Sequence, residues 1–470
     1  MAKQNKRIPP FEMEVTSLGK GGIGVGTAPD GRPAQVRWAP VGSLVAVTPT
    51  GMRKGIWNGR RTALLRPPDP YAPPRCAAFL LCGGCGLQEH PLAAQRAIKR
   101  DWAQGDLGSL EHVRVHPVRG DAAAYGYRNK VELSFGSARF LTEDDHLAKH
   151  PIDGRWLGFH APGRWDRVAN VQRCELVSEP ANAVIGAVRA LALAEDAPPP
   201  WGQREQRGFW RHLVIRQGFA TGQILVVLVT TSPTPEQERA VPALAEHLLG
   251  LTLTEGARVV GVVWRTNDGV AEVATGDDRQ VFGQPWIEER LNGITFRLSA
   301  SSFFQTSTRG AEILYDTIGE ALGDSGGVLF DLYCGTGTIG QVLAERFDRV
   351  IGVEECEPAV LDARENAQRN GVSAEYRVAK VEDALDALGQ VSGRRTLVVD
   401  PPRVGVHPKV AQALARADAD VLIYVACHPA SLGRDRVTLE AGGWVMTDVW
   451  TVDLFPQTGH MEVVARFERR

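Results

Sequence analysis

Apolar and polar positions change rhythm twice along this chain of 470 residues. From Phe11 to about Pro67, short apolar bursts (AQVRWA, SLVAVTPT) alternate with polar positions between glycine-rich turns such as GKGGIGVG, Gly19–Gly26. That period predicts short, half-buried strands, and a small β-barrel of the OB type, a fold that often binds RNA or single strands. RPPDPYAPPR (Arg66–Arg75) then carries five prolines in ten residues and reads as a stiff linker. Pro91 to Leu107 has helical spacing, and strand-like runs follow to about residue 290, among them HLVIRQG and ILVVLVTTS, with a helix over PTPEQERAVPALAEHLL. From about Gly293 strands and helices alternate (GVLFDLYCGTGTIGQVLAERF, RVIGVEECEPAVLDARENAQRNG, RTLVVDPPRVGV, VLIYVACHP). Such alternation predicts a doubly wound, Rossmann-like α/β domain. The expected units are therefore a β-barrel over 1–70, a central α+β unit over 71–292 and the α/β domain over 293–470.

Composition adds limits. An apolar content of 43% and a charged content of 23% are those of a water-soluble globular protein, and the length calls for two to four domains. No run of 18 apolar residues and no apolar stretch behind the basic N-terminus is present, so a cytoplasmic protein without membrane contact is expected. Oligomeric state is not legible, and a monomer is the default expectation. Seven cysteines do not suggest a disulfide framework. The formal charge is only −2, yet residues 1–75 hold twelve Lys or Arg against four acids, a net of +8. Phosphate is the usual partner of such a module, although a merely solubilising surface has the same composition. YGYRNKVELSFG (Tyr125–Gly136) mixes aromatic and basic side chains in a way that suits RNA contact.

Three groups of residues carry candidate chemistry. Cys76, Cys82 and Cys85 have the spacing C-x5-C-x2-C, and Cys174 is the remaining cysteine before the α/β domain. Three thiolates plus one distant fourth suit an iron–sulfur cluster, whereas His90 keeps a Cys3His zinc site open. Gly335, Gly337 and Gly340 form G-x-G-x-x-G after a strand, with Asp331 before the loop and Glu354 ending the next strand, where ribose hydroxyls are held. NAD and S-adenosylmethionine enzymes share that arrangement. Asp400-Pro401-Pro402-Arg403 at the fourth strand end resembles methyltransferases acting on planar groups. Lastly, Cys427 ends an apolar strand ahead of Pro429, either as an inert buried thiol or as a nucleophile. An exocyclic amine needs no enzyme nucleophile, but C5 of uracil does: a thiolate adding to C6 makes C5 an enolate carbon, and a base must later take the C5 proton. Glu462, opening the last strand after His460, is the candidate base.

Taken together, SSFFQT, DLYCGTGTIG, Glu354, Asp400, YVACHPASLGRD and TGHMEVV resemble, in this order, the motifs of the RNA uracil-5-methyltransferase family, in its branch with a TRAM domain and a [4Fe-4S] cluster. The resemblance covers nearly the whole chain. It implies cofactor contacts at Gln305, Asp331, Tyr333, Gly335, Gly337, Glu354 and Asp400, a nucleophile at Cys427, a C5 base at Glu462 and cluster ligands at Cys76, Cys82, Cys85 and Cys174. It further implies RNA as substrate, with a uridine flipped from its stack, and 23S ribosomal RNA ahead of the T-loop uridine of transfer RNA. His428 stands where the family has Asn, and Ser307 follows FFQT in place of Asn. An NAD-dependent oxidoreductase would leave DPPR, Cys427 and Glu462 idle. A radical enzyme would need C-x3-C-x2-C and an open iron, and a non-catalytic RNA-binding protein would not need a thiol and a carboxylate at strand ends.

Overall fold

The computed structural model describes residues 8–324, 326–385 and 392–469. Lys3, Lys6 and Arg7, three members of the basic N-terminal segment, lie outside the described residues.

Residues 11–66 form a six-stranded sheet whose inward positions are Met13, Ala34, Val36, Val45, Val47 and Trp57, the alternation the sequence displays. Its two edges are halves of one bent run. Phe11–Glu14 pairs with Leu44–Arg53 at one end, and Ser17–Gly19 pairs with Ile23–Thr27 at the other. The Thr16 amide donates to Val25 O between them, so no long edge is left unpaired. The segment's positive charge is less free than its composition suggests: Lys20, Arg32, Arg61, Arg66 and Arg75 are each in an ion pair, and Arg61–Glu89 is buried.

The central sheet has seven strands, antiparallel except where Gln223–Thr230 runs parallel to Arg258–Thr266 across the helix Ala240–Leu249. This helix and Glu179–Ala192 cover one face, closing a core of Leu133, Phe135, Leu213, Ile215 and Trp264. Within Tyr125–Gly136, Tyr127 and Asn129 turn inward, while Tyr125, Arg128 and Lys130 stay half-buried. Tyr127 is buried and its hydroxyl donates to Pro456 O at 2.9 Å, while Asn129 Nδ2 donates to Gln305 O at 2.9 Å and to Thr308 Oγ1 at 3.0 Å. The stretch ties the central sheet to the loop around Gln305.

The expected boundaries need correction in two places. Leu92–Leu107 is a helix as its spacing predicts, but it packs on the C-terminal helix Pro429–Ala441, and Arg114–Val115 and Arg119–Gly120 extend the C-terminal sheet beside Trp444–Asp453. Residues 92–120 thus belong with the α/β domain, because a buried Lys99–Asp453 ion pair and the apolar side of that helix have their partners there. The boundary at 292/293 also fails, since Asn292-Gly293 is the turn of a hairpin joining Trp286–Leu291 to Ile294–Ser299.

The C-terminal sheet runs Glu375–Val378, Arg349–Glu354, Val328–Leu332, Arg395–Val399, Val421–Ala426, Glu462–Arg469, Trp444–Asp453. The first five are parallel, and all but the edge strand Glu375–Val378 are mainly apolar on both faces, with a separate core on each side. Strand order reverses beside Val328–Leu332, which places the binding crevice at the carboxyl ends of that strand and its neighbours. Glu462–Arg469 is antiparallel to both neighbours, so its first residue lies at that same edge. Among the described residues no helix is long and apolar enough to cross a membrane.

Candidate active site

The donor side of the crevice is made by two strand ends and the segment that leads into a helix. After Val328–Leu332 the chain turns through Tyr333, held at φ 62°, Gly335 at φ 52° and Gly337 at φ 74°. A tyrosine in the left-handed region is uncommon and signals a turn fixed by its surroundings. A Cβ at Gly337 would lie 2.6 Å from the Tyr376 hydroxyl, so only glycine fits. Asp331 is wholly buried beneath the loop, and its Oδ2 accepts the Gly340 amide at 2.8 Å. Burial, with Asp400 and Glu354 nearby, pushes the Asp331 carboxyl up to about 7. Its Oδ1 has no partner among the described residues. Glu354 ends Arg349–Glu354 and accepts the amides of Gly335 at 3.2 Å and Cys356 at 2.8 Å. Each of its oxygens keeps a lone pair for a hydroxyl. Gln305 sits one turn before the helix Thr308–Leu322, which Ser307 caps by accepting the Gly310 amide at 3.2 Å. Tyr315 on that helix donates to Thr338 Oγ1 in the glycine loop at 3.1 Å, which joins the Gln305 segment to the donor loop.

The acceptor side is built on Val421–Ala426, buried throughout. Cys427 follows it, and His428 then occupies the N-cap position of the helix Pro429–Ala441 without a side-chain cap bond. The antiparallel pairing of Ala426 with Val463, continued one step, sets Cys427 opposite Glu462. Glu462 is 3% exposed and its Oε2 has no partner among the described residues. Burial, then Asp400, raises its carboxyl well above the usual range. Burial likewise lifts Asp400 to about 7. Cys427 is pushed up to about 11, first by burial and then by Glu462 and Asp400, with Arg403 opposing. A helix N-terminus ordinarily lowers a thiol. Here two carboxyls and burial outweigh it. The loop after Asp400 is fastened to the nucleophile strand through Asp435, whose Oδ2 accepts from Tyr424 Oη at 2.7 Å and Val406 N at 3.1 Å.

A pocket opens above Cys427, walled on the strand side by Arg403, His428 and His460. Its far wall comes from other parts of the chain: Lys20 and Gly21 from the N-terminal sheet, Gly83, Gly84 and Gly86 from the cysteine loop, and Asp106. Arg403 was visible in DPPR without a role. Lys20 and Asp106 carry no local signal of chemistry, because only the packing of three units brings them to the thiol.

Against known proteins, the tRNA (uracil-5-)-methyltransferase family model matches residues 274–470. An uncharacterized RNA methyltransferase of Chlorobaculum tepidum is 36% identical over 414 residues, 84% of this chain and 83% of that protein. The tRNA (uracil(54)-C(5))-methyltransferase of Pyrococcus horikoshii is 30% identical over 392 residues, 83% of this chain and 85% of that protein. The chain belongs to the RNA uracil-5-methyltransferase family. It is an S-adenosylmethionine-dependent RNA methyltransferase. The crystal structure of the Pyrococcus abyssi tRNA (uracil-54, C5)-methyltransferase with S-adenosyl-L-homocysteine superposes with a TM-score of 0.73 at 26% identity, covering 97% of this chain and 99% of that one. Membership in this family leaves the oxidoreductase reading of the glycine loop without support.

The four N-terminal cysteines lie near one another. Cys82 and Cys85 are each raised to about 12, by burial first, and both feel Cys76 and Cys174. Such thiols ionise only beside a positive centre. Among the described residues no three His, Cys, Asp or Glu side chains close on a single metal ion. A zinc site would need sulfurs about 3.8 Å apart, whereas a four-iron cluster spreads them wider. His90 is buried and lowered to about 4 by that burial alone.

Proposed function

We propose that the enzyme methylates C5 of a uridine in transfer RNA through a covalent adduct on Cys427. The observation that carries this reading is that Cys427, which lines a pocket, lies at the end of the strand paired with that of Glu462 and feels both Glu462 and Asp400. Bound S-adenosylmethionine supplies the methyl group and a positive sulfonium. Glu354 is placed for ribose hydroxyls, the Gly335–Gly337 turn for close backbone approach, and Gln305, Asp331, Tyr333 and Asp400 for the remainder of the donor. The Cys427 thiolate forms a bond to C6 and the C5=C6 electron pair moves into the O4 enolate. C5 then takes the methyl group as the sulfonium S–CH3 bond breaks, its electron pair staying on the sulfur of the departing S-adenosylhomocysteine. The Glu462 carboxylate removes the C5 proton, the C5=C6 bond returns and the sulfur leaves as thiolate.

The sequence resemblance implies ribosomal RNA. The two Pyrococcus relatives described above are named as acting on uridine 54 of tRNA, and that supports a T-loop uridine here. Sequencing-based mapping of 5-methyluridine in a deletion strain tests this. Loss from transfer RNA is expected; loss from ribosomal RNA with transfer RNA intact would replace tRNA by rRNA as substrate.

Cys76, Cys82, Cys85 and Cys174 are assigned to a structural [4Fe-4S] cluster, supported by their mutual proximity and by the Gly84 amide donating to Cys82 Sγ at 3.4 Å. Anaerobically purified protein is expected to contain four irons per chain, on the cluster's stoichiometry, and Cys85→Ser to lose them and the visible absorbance together. Retention of full iron in Cys85→Ser would remove Cys85 from the ligand set. The N-terminal sheet, closed through its bent strand, is assigned to a TRAM-like barrel that contributes to RNA binding.

A further inference from the structure

The turn Gly19–Gly22 of the N-terminal sheet does not hang free as an RNA-gathering appendage; it is mortised into the catalytic pocket. A Cβ at Gly22 would lie 2.2 Å from Gly86 O, one at Gly86 2.5 Å from Gly21 O, and one at Gly459 3.0 Å from Gly21 Cα. Three glycine turns from three parts of the chain thus meet backbone to backbone, with no space for a side chain between them. Indole donors pin the joint: Trp38 Nε1 to Cys85 O at 2.8 Å and Trp102 Nε1 to Leu18 O at 2.9 Å. The amides of Gly86 and Leu87 both reach Gln457 O at 3.0 Å. Lys20 brings a cationic side chain to this joint. It lines the same pocket as Cys427, half exposed, and its ammonium is hydrogen-bonded to Asp106, whose carboxylate is mostly enclosed. Asp106 stands one residue before the end of Leu92–Leu107, where the helix dipole disfavours an anion, so the pair orients Lys20 as well as neutralising Asp106.

A uracil ring entering this pocket is neutral, but its nucleotide carries a phosphate on each side, and these must stay at the mouth. The cations there are Arg403 on the strand side and Lys20 on the far wall. Resting on the RNA methylation proposed above, we propose that Lys20 is a phosphate-anchoring residue of the RNA site, positioned by Asp106. The N-terminal unit then contributes to the catalytic pocket itself as well as to RNA capture.

The test uses the full-length, cluster-loaded protein and a tRNA transcript, with binding followed between about 50 and 400 mM salt, where phosphate contacts dominate. Lys20→Gln is expected to weaken binding about tenfold at low salt and to make the slope of log Kd against log salt shallower by about 0.7 to 1, the signature of one lost phosphate contact. Its KM for RNA should rise while kcat at saturating RNA stays within a few-fold. Lys20→Arg should restore the slope. Asp106→Asn keeps an oxygen that accepts from the Lys20 ammonium but removes the charge, so it should keep the slope and bind tighter, which a purely structural ion pair would not do. An unchanged slope and KM in Lys20→Gln, with Asp106→Asn losing binding, would overturn the proposal. Failure of the wild-type protein to methylate the transcript would count against the tRNA reading alone, since the slopes report on Lys20 independently.

Discussion

Glu462→Gln, mixed with substrate RNA and S-adenosylmethionine, is expected to accumulate a denaturation-resistant protein–RNA adduct while product formation falls by about 10²- to 10⁴-fold, the usual worth of a positioned general base. Cys427→Ala should form neither adduct nor product. The contrast follows from the order of bonds: sulfur addition and methyl transfer precede proton removal, so loss of the base stops the reaction with sulfur still on C6. Gel mobility of the labelled RNA–protein species reads the outcome. Turnover by Cys427→Ala, or release of methylated RNA by Glu462→Gln at the wild-type rate, would refute these roles. The glutamine of Glu462→Gln also fits the slot. Glu462 is buried, its Oε2 is unpartnered among the described residues, and burial, then Asp400, raises its carboxyl well above the usual range. The sign for stability is fixed by that upward shift. A carboxyl raised in the folded state contributes most below its unfolded value of about 4 and loses that contribution as pH rises through the folded value. Wild-type protein should therefore lose stability on going from about pH 4 toward 7 and above, with Asp331 and Asp400, both raised to about 7, contributing to the same fall. Glu462→Gln should flatten the fall and melt higher than wild type at alkaline pH.

The strand ends were legible because their chemistry is local in sequence. A buried apolar run followed by Cys427, or by Asp400 and two prolines, signals both the strand and its end. The same holds for the glycine loop, where positive φ values need the residues found there, apart from Tyr333, whose strained backbone no propensity announces. What spacing could not reveal is how the units share parts. The helix Leu92–Leu107 is amphipathic in any domain, and only the buried Lys99–Asp453 pair shows which core it joins. The aromatic and basic run after Tyr125 gives no sign that Tyr127 and Asn129 are bonded to Pro456 O and Gln305 O and so tie the central sheet to the Gln305 loop. Likewise Lys20 and Asp106 are 86 positions apart, and nothing in either neighbourhood tells that they meet above the thiol.

Alkylation of Cys427 in the cofactor-free protein is expected to be slow at pH 7 and to accelerate about tenfold per pH unit toward 11, because the thiolate is the reacting form and burial, Glu462 and Asp400 all oppose it. Adding S-adenosylmethionine should bring the titration down by roughly two units: a unit positive charge about 5 Å from the thiolate, at an effective dielectric of about 20, is worth about 3 kcal/mol. S-adenosylhomocysteine has nearly the same shape with a neutral sulfur and should leave the titration high. The pair separates charge from crowding, and peptide mass spectrometry separates Cys427 from the other six cysteines. Glu462→Gln and Asp400→Asn should each lower the cofactor-free titration, since they are the two anionic neighbours that raise it. Identical pH profiles with both ligands would show that the donor's charge does not reach the thiol. On the geometry of these strand ends the opposite is expected: a resting enzyme whose nucleophile stays protonated, and therefore spared from adventitious electrophiles, until the cationic methyl donor occupies the crevice beside it.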